Sequence, residues 1–482
     1  MALVNNLRLD NHMRISTRDA TLARCVALAA ALIAQPRVHA QSEPAAYQMM
    51  RHEEDWRGFS ATDPPRGFWD PIKHIQLGDA PERFVSLGGD ARVRYEYYHN
   101  PSFGRGVQDH NGYGLQRYLL HADVHLNRWL RVFSQLQHSK ESGRAGGPRS
   151  FDENELDMHQ LFVELGRNEG RRDFTFLRLG RQELEFGVAR LMSVRDGRNT
   201  RIAFQGARFV NQNEKYRHAV WLLRPVKIEP DPFDDSWDKG RLVAGFGITR
   251  YDVFVPDGAW VIYYTQFQGE KARFEQGAAR EKRHTLGSRI SGRGSRWDYN
   301  YEAAYQFGKF GGQPIRAWDV ATDTGYTFAD TRWRPRVGLR VDVTSGDRDL
   351  ADDELNNFNP LFASTAYSGL AGLIGPSNAI DVVPSVTLRL SNDFSLTLGS
   401  ALFWRHSKND GVYDLDLNLI RSGKHSNARF IGQQTTAIAN WQLTRHASLS
   451  ATLSYFAAGR FLKETPPGDD VTYFTAWWNY RF

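Results

Sequence analysis

The chain has 482 residues, yet only one cysteine, six methionines and eleven lysines, and no run of eighteen apolar residues. Each scarcity excludes a class. A lone cysteine cannot staple a disulfide scaffold. At a mean hydropathy of −0.54, nothing in the chain reads as a membrane-crossing helix. There is no G-x-S-x-G elbow, no H-E-x-x-H and no P-loop, so the motif-bearing hydrolases, zinc proteases and NTPases have no support, and no cofactor is called for. No stretch holds a helical period, no Pro/Ser linker divides the chain and no low-complexity tract appears. What remains is a polar chain, 13% aromatic with 42 glycines. That composition suits an all-β protein, a class that includes transmembrane barrels, whose strands hydropathy alone misses.

At the N-terminus, Arg14, Arg18 and Arg24 precede an apolar stretch at 25–34, and Val38-His39-Ala40 closes it with a small-residue site. This pattern predicts a signal peptide over 1–40, started internally at Met13 and cleaved after Ala40. Cys25 opens the apolar stretch instead of following it, so no lipid anchor is expected. Cleavage removes five Arg and two Asp and leaves a net charge of +3, which does not mark a nucleic-acid binder. The base is nearly all arginine, 50 of 61. A planar fork that stays charged when partly desolvated suits a confined surface that meets anions. Residues 41–80, with Trp56, Phe68 and Trp69 as isolated anchors, are expected to form a periplasmic extension outside the main fold.

From Phe84 onward, short alternating segments recur. In the first, Leu87, Ala91, Val93, Tyr95 and Tyr97 share one face and Asp90, Arg92, Arg94 and Glu96 the other. Residues 113–126 set Tyr118, Leu120, Ala122 and Val124 against Arg117, His121, Asp123 and His125, and residues 333–344 set Val337, Leu339 and Val341 against Arg334, Arg336, Arg340 and Asp342. Period 2 places such sets on opposite faces of a strand. A charged inner face and an apolar outer one predict a transmembrane antiparallel up-and-down β-barrel over 81–482. About eighteen segments fit, or sixteen if those near 216 and 241, which alternate poorly, are not strands. Short turns such as 127–129, 391–393 and 444–447 read as periplasmic, and the long stretches 139–155, 228–240, 345–379 and 406–428 as extracellular. The last strand ends on Phe482, with Tyr480, Trp478, Ala476 and Phe474 on its face. A terminal aromatic of this kind is what the barrel-assembly machinery reads in outer-membrane proteins, and the lipid of that membrane is the expected surround.

The motifs Ser86-Leu87-Gly88-Gly89-Asp90-Ala91-Arg92-Val93-Arg94-Tyr95-Glu96, Gly180-Arg181-Gln182-Glu183-Leu184 with Gly187 and Arg190-Leu191, Glu302-Ala303-Ala304-Tyr305-Gln306-Phe307-Gly308, Ser345-Gly346-Asp347, Phe358-Asn359-Pro360-Leu361-Phe362 and Asp410-Gly411-Val412-Tyr413 resemble those of the alginate export family of outer-membrane barrels. The resemblance spans roughly 70–482. It implies an eighteen-stranded monomer with an Arg-lined conduit for an anionic polysaccharide, and leaves a place for a periplasmic secretion scaffold as partner.

Inward parity agrees with that implication. The candidate conducting residues are Arg92, Arg94, Arg117, Arg178, Arg181, Arg201, Arg334, Arg336, Arg340, Asp342, Arg389 and Arg405, of which Arg181 is implied by the family resemblance and not by parity. Arg131, Arg289 and Arg481 share the inward parity, as do the acids Asp90, Glu96, Asp123, Glu164, Glu302 and Asp381. A cationic excess in a narrow pore attracts polyanions, and interleaved acids keep each contact exchangeable. Against this stands the plainer reading, in which each arginine only braces the wall. Two positions fit the parity poorly: Arg181 shares its side with Leu177 and Leu179, and Arg208 falls on the apolar parity of a strand where Arg201 and Gln205 oppose Ile202 and Phe204. His121, Asp123 and His125 lack a fourth metal ligand. The acidic run Asp347, Asp349, Asp352, Asp353 and Glu354 lacks the spacing of a calcium loop, and is expected to be solvated or to fold into the lumen as a constriction.

Three functions fit these residues. The first is a channel exporting an alginate-like polyuronate by passive diffusion. The second is an anion-selective uptake porin for small acidic solutes. The third, a barrel enzyme acting on polysaccharide through acids such as Glu164 and Glu302, has the least in the sequence to speak for it, and no catalytic residue is assigned.

Overall fold

The alternating segments fold as strands because each has one face that tolerates apolar surroundings and one that must be hydrogen-bonded. The computed structural model describes residues 47–59, 67–170, 173–365 and 369–482. The expected signal peptide lies outside the described residues. Among them, eighteen long strands close into an antiparallel barrel. They are β1 (Phe84–His99), β2 (Tyr113–His125), β3 (Leu130–Ser142), β4 (Asn154–Gly170), β5 (Asp173–Gln182), β6 (Phe204–Gln212), β7 (Tyr216–Lys227), β8 (Arg241–Tyr251), β9 (Ala259–Phe274), β10 (Gly277–Arg293), β11 (Trp297–Phe310), β12 (Gln313–Thr327), β13 (Arg336–Thr344), β14 (Ala379–Arg389), β15 (Phe394–Arg405), β16 (Phe430–Gln442), β17 (Ala447–Ala458) and β18 (Val471–Arg481). Each pairs with its neighbours in sequence, and β1 closes on β18 with Asp90 opposite Arg481 and Arg94 opposite Trp477. Closure removes every open edge, which a bilayer requires.

On β1 the outer residues Leu87, Val93 and Tyr95 are exposed, whereas Ser86, Asp90, Arg92, Arg94 and Glu96 are buried. The same inversion runs around the barrel through Leu120, Val163, Leu179, Val220, Ile248, Leu286, Val320, Leu339, Leu398 and Leu453, all exposed. An apolar band of this extent matches lipid and not water. Short turns gather at one end with both ends of the barrel chain, and the long connections 183–203, 345–378 and 406–429 gather at the other.

Those long connections fold into the barrel. Phe358 and Phe362 from 345–378, and Leu184, Leu191 and Met192 from 183–203, join inward residues Phe204, Val210, Trp221, Leu223, Val243, Val261, Tyr263 and Phe267 in one buried cluster. The Phe362 ring lies 5.2 Å from that of Phe204. A second cluster sets Leu373 and Ile374 against Phe403, Ile431, Phe456, Phe461 and Leu462. Each large apolar side chain buried this way contributes about 2 kcal/mol to holding the loops in place. The expectation of a wet, charged lumen is therefore corrected over β6–β9, where much of the inner wall packs against the inserted loops as an apolar core.

The same cluster explains the weak alternation near 216 and 241. Ala219, Trp221 and Leu223 face the inserted loops while Val220 and Leu222 face outward, so both sides are apolar and the period is blurred. β6 likewise starts at Phe204, three residues later than expected, and its inner face carries Phe204, Arg208, Val210 and Gln212. Arg208 thus points inward, and Arg201 lies in the preceding loop.

Residues 41–80 were expected to stay outside the main fold, and their described parts do not. Arg51, His52, Trp56 and Lys73 are buried. Arg51 Nη1 donates to the Gly89 carbonyl at 2.6 Å, its Nη2 donates to that of Phe482 at 2.8 Å, and Trp69 stacks on Phe482 at 4.1 Å. A Cβ on Gly89 would lie 2.5 Å from the Phe482 ring, and one on Gly88 2.7 Å from Lys73 Nζ. The glycine pair is the gap through which the segment and the chain end reach β1.

Candidate functional site

The inner faces of β1–β6 carry Arg92, Arg94, Arg117, Arg131, Arg178 and Arg208, all but Arg131 fully buried. Strand parity stacks them on one sector of the wall. Carboxylates on the same strands answer most of them. Arg94 pairs with Glu96, Arg131 with Asp123 at 2.7 Å, Arg178 with Glu164 at 2.7 Å, and Arg117 reaches Asp90 at 3.7 Å. Arg208 forms no ion pair among the described residues, and its Nε has no acceptor.

Onto this wall the loop 183–203 lowers a carboxylate. Asp196 Oδ1 accepts from Arg201 Nε at 2.7 Å and from Arg117 Nη2 at 2.9 Å. Arg92 Nη1 donates to the Asp196 carbonyl at 2.7 Å. Burial opposes ionisation of Asp196, but Arg201, Arg117 and Arg92 together hold its carboxyl well below the usual range. Three guanidiniums thus converge on one carboxylate supplied by the protein itself. Arg201 also meets Glu183 at 3.2 Å and donates to the Met49 carbonyl at 3.1 Å. The N-terminal segment continues down the same wall. Arg131 Nη2 donates to the His52 carbonyl at 2.7 Å, and the His52 ring meets Phe133 and Phe162 edge-on.

Across the lumen the charge reverses. Glu302 on β11, Asp319 on β12, Asp342 on β13 and Asp381 on β14 surround a cavity of about 20 Å³ together with Arg190, space for about one water. Arg190 donates to Asp342 at 2.8 Å, and Arg340 lies 3.2 Å from Asp381 and 3.4 Å from Asp342.

The other candidates separate by location. Arg336 faces inward but is held by Asp298 at 2.6 Å and Asp323 at 3.2 Å. Arg405 ends β15 and donates to the carbonyls of Ala428, Lys408 and Ser426, with Phe461 against its guanidinium. It pins loop 406–429 and lines no path. Arg181 is corrected as well. It pairs across from the exposed Leu161 and is tied to Asp157 at 3.2 Å and to the Met158 and Asp235 carbonyls, so it belongs to the outer rim at the long-loop end and not to the lumen. Arg334 leaves the expected strand, because β13 begins at Arg336. It sits in the turn 328–335 with φ 43°, held where Arg389 N donates to the Trp333 carbonyl at 2.7 Å. The expected cluster of Arg334, Arg336 and Arg340 is therefore divided between a turn and the wall.

Arg334 and Arg389 instead line an open vestibule of about 640 Å³ at the short-turn end, with Arg481, Asn440, Ser450 and Asn479. The residues weighed as metal ligands are otherwise engaged: Asp123 serves Arg131, His125 stacks on Phe84 and His121 on Phe133. Sequence reasoning missed Asp196 and Arg195, and had Arg190 only as part of a family motif. The charged run 195–201, with three Arg around Asp196, was the available signal, but it has no period and so no predicted facing. Arg195 shares Asp416 with Arg198, locking loop 183–203 to loop 406–429.

A family model for alginate export matches residues 83–475. No curated protein sequence matches the chain. Among solved structures, OccK3 (OpdO) of Pseudomonas aeruginosa is similar with a TM-score of 0.52 at 11% identity, over 83% of this chain and 95% of that one. OpdK of the same organism, solved with vanillate, gives 0.54 at 10% identity, over 82% and 98%. A BenF-like porin from Pseudomonas fluorescens Pf-5 gives 0.54 at 9% identity, over 83% and 98%. At these identities the likeness speaks for the barrel alone.

Proposed function

The chain belongs to the alginate export family and is a porin-like barrel of the bacterial outer membrane, and on that premise we propose that it is a channel through which an anionic polysaccharide, an alginate-like polyuronate, leaves the cell by passive diffusion. The observation that carries this reading is the resident carboxylate of Asp196, hydrogen-bonded by Arg117 and Arg201 with Arg92 at 4.0 Å. The site has the chemistry of a uronate site, and one of the protein's own loops fills it. Guanidinium forks suit carboxylates. A uronate arriving as Asp196 withdraws replaces one charge-assisted bond by another, so neither state is a deep trap, as conduction requires. In this reading the structure is the closed channel. Opening needs loops 183–203 and 345–378 and the 47–59 segment to withdraw, and no bond in the substrate is made or broken.

The long-loop end faces outward and the short-turn end the periplasm, where a secretion scaffold hands over the polymer. The chain is exported by the signal peptide at 1–40, assembled through Phe482 and works as a monomer. Single-channel reversal potential of the refolded mature chain in a salt gradient, with and without polyuronate, tests the reading. Anion selectivity with polyuronate block is expected, and a cation-selective pore indifferent to the polymer would sink it. A second reading, uptake of small acidic solutes, is supported by the fold shared with OpdK, solved with vanillate, itself a carboxylate. Block by monomeric aromatic acids but not by polyuronate would favour it.

A further inference from the structure

Nearly every predicted arginine is already engaged. Arg92, Arg94, Arg117, Arg178, Arg181, Arg201, Arg336, Arg340 and Arg405 each meet a carboxylate or a backbone carbonyl. Arg334 and Arg389 differ. Among the described residues neither guanidinium has a partner, and both are exposed to the same vestibule. Arg481, the third cation there, gives its Nε to Asp90 at 2.9 Å. One acid, Asp393, also lines the space, and no arginine pairs with it. Most of the remaining lining is neutral and polar. Asn440, Ser450 and Asn479 reach it from β16, β17 and β18, with Ser450 Oγ donating to Asn440 Oδ1 at 2.9 Å. Trp333, Phe394 and Trp441 line it as well, the last two with ring centroids 6.0 Å apart.

Two unpaired guanidiniums bind carboxylates, and a surface of amides and hydroxyls between them hydrogen-bonds to sugar hydroxyls. At about 640 Å³ the vestibule falls in the size range of clefts that hold small organic ligands, and it opens away from the plugged half of the lumen. We propose that this vestibule is a docking site for the leading end of an acidic sugar chain, with Arg334 and Arg389 holding uronate carboxylates and Asn440, Ser450 and Asn479 meeting ring hydroxyls. The site deepens the export reading and rests on it for direction. The lumen arginines are paired or, like Arg208, buried in the closed channel, whereas this pair is exposed and free beforehand, so capture precedes opening.

The test is titration calorimetry of the refolded full-length protein with trigalacturonate as probe and maltotriose as its neutral counterpart, on wild type, on R334Q/R389Q and on R208Q, which alters the lumen wall instead. Because neither vestibule arginine is paired, the double variant should keep its compact, heat-modifiable gel mobility. Trigalacturonate binding weakened at least tenfold in R334Q/R389Q, unchanged in R208Q, with maltotriose silent, is the expected result. Equal affinity in the double variant, weakening in R208Q alone, or acetate competing as well as trigalacturonate at equal carboxylate concentration would each overturn the site. Failure of the two readings can be told apart. Vestibule binding without polymer flux through liposomes removes export and leaves the site. Undiminished flux in R334Q/R389Q removes the site and leaves export.

Discussion

Asp347 and Asp410, both fully buried, sit where two inserted loops meet, and their protonation should set how firmly the channel is closed. Asp410 accepts from Tyr413 Oη at 2.6 Å, Asn357 Nδ2 at 2.6 Å, Gly411 N at 2.8 Å and Asp347 N at 3.0 Å. It thereby ties 345–378 to 406–429. Burial outweighs these bonds and pushes its carboxyl up to about 6. Burial, reinforced by the charge of Asp410, pushes Asp347 up to about 7, and Asp347 Oδ2 has no donor to receive a charge. The inserted loops therefore bind protons that released loops have already lost. Stability of the inserted state is highest below about pH 4, falls as pH rises through 4–7, and is flat above. From an ordinary value of 3.8 to about 6, Asp410 alone is worth about 3 kcal/mol, roughly a hundredfold in the closed-to-open ratio. Open probability of the reconstituted protein, recorded from pH 4.5 to 8, should rise across that window. D410N cannot ionise and should retain only the rise from Asp347, and D347N/D410N should be flat. A flat wild-type profile, or an unaltered rise in the double variant, would refute the reasoning.

Other consequences follow from the same geometry. D196N leaves Arg92, Arg117 and Arg201 without their resident charge, so half-blocking by polyuronate should need about tenfold less polymer; unchanged block would mean the triad never meets the substrate. R340L leaves Asp381 without its guanidinium while Asp342 keeps Arg190, with an expected loss of about 3 kcal/mol, read as a lower temperature for losing compact gel mobility, and no loss would show Asp381 to be already solvated. Deleting residues 41–59 removes the strand of carbonyls lying on Arg201 and Arg131 and should raise single-channel conductance, whereas equal conductance would place the segment off the path. Gly89→Val drives a side chain into the Phe482 ring and should slow barrel closure in refolding assays, while a normal rate would show that the chain end can shift aside.

The barrel was legible because a strand with lipid on one side and water or charge on the other must alternate, and β1, β2 and β13 carry that contrast in their residues. Eighteen strands, the inward Arg92, Arg94 and Arg117 and the long loops at one end all follow from local pattern. The pattern failed where both faces of a strand are apolar, at β6 to β8, since nothing in Ala219, Trp221 or Leu223 says that a loop will fold inside and cover them. Arg208 changed sides for the same reason, since parity has to be counted from a reference face, whereas Arg181 lies on the outward side that its parity with Leu177 and Leu179 already indicated. Nor can spacing announce pairing partners distant in sequence, such as Arg92 and Asp196 or Arg131 and the His52 carbonyl. Which arginines are struts and which remain free is therefore a property of the closed barrel and its inserted segments. Period 2 is written residue by residue along a strand, whereas burial of a charge is settled only when chains far apart in sequence come to occupy the same interior.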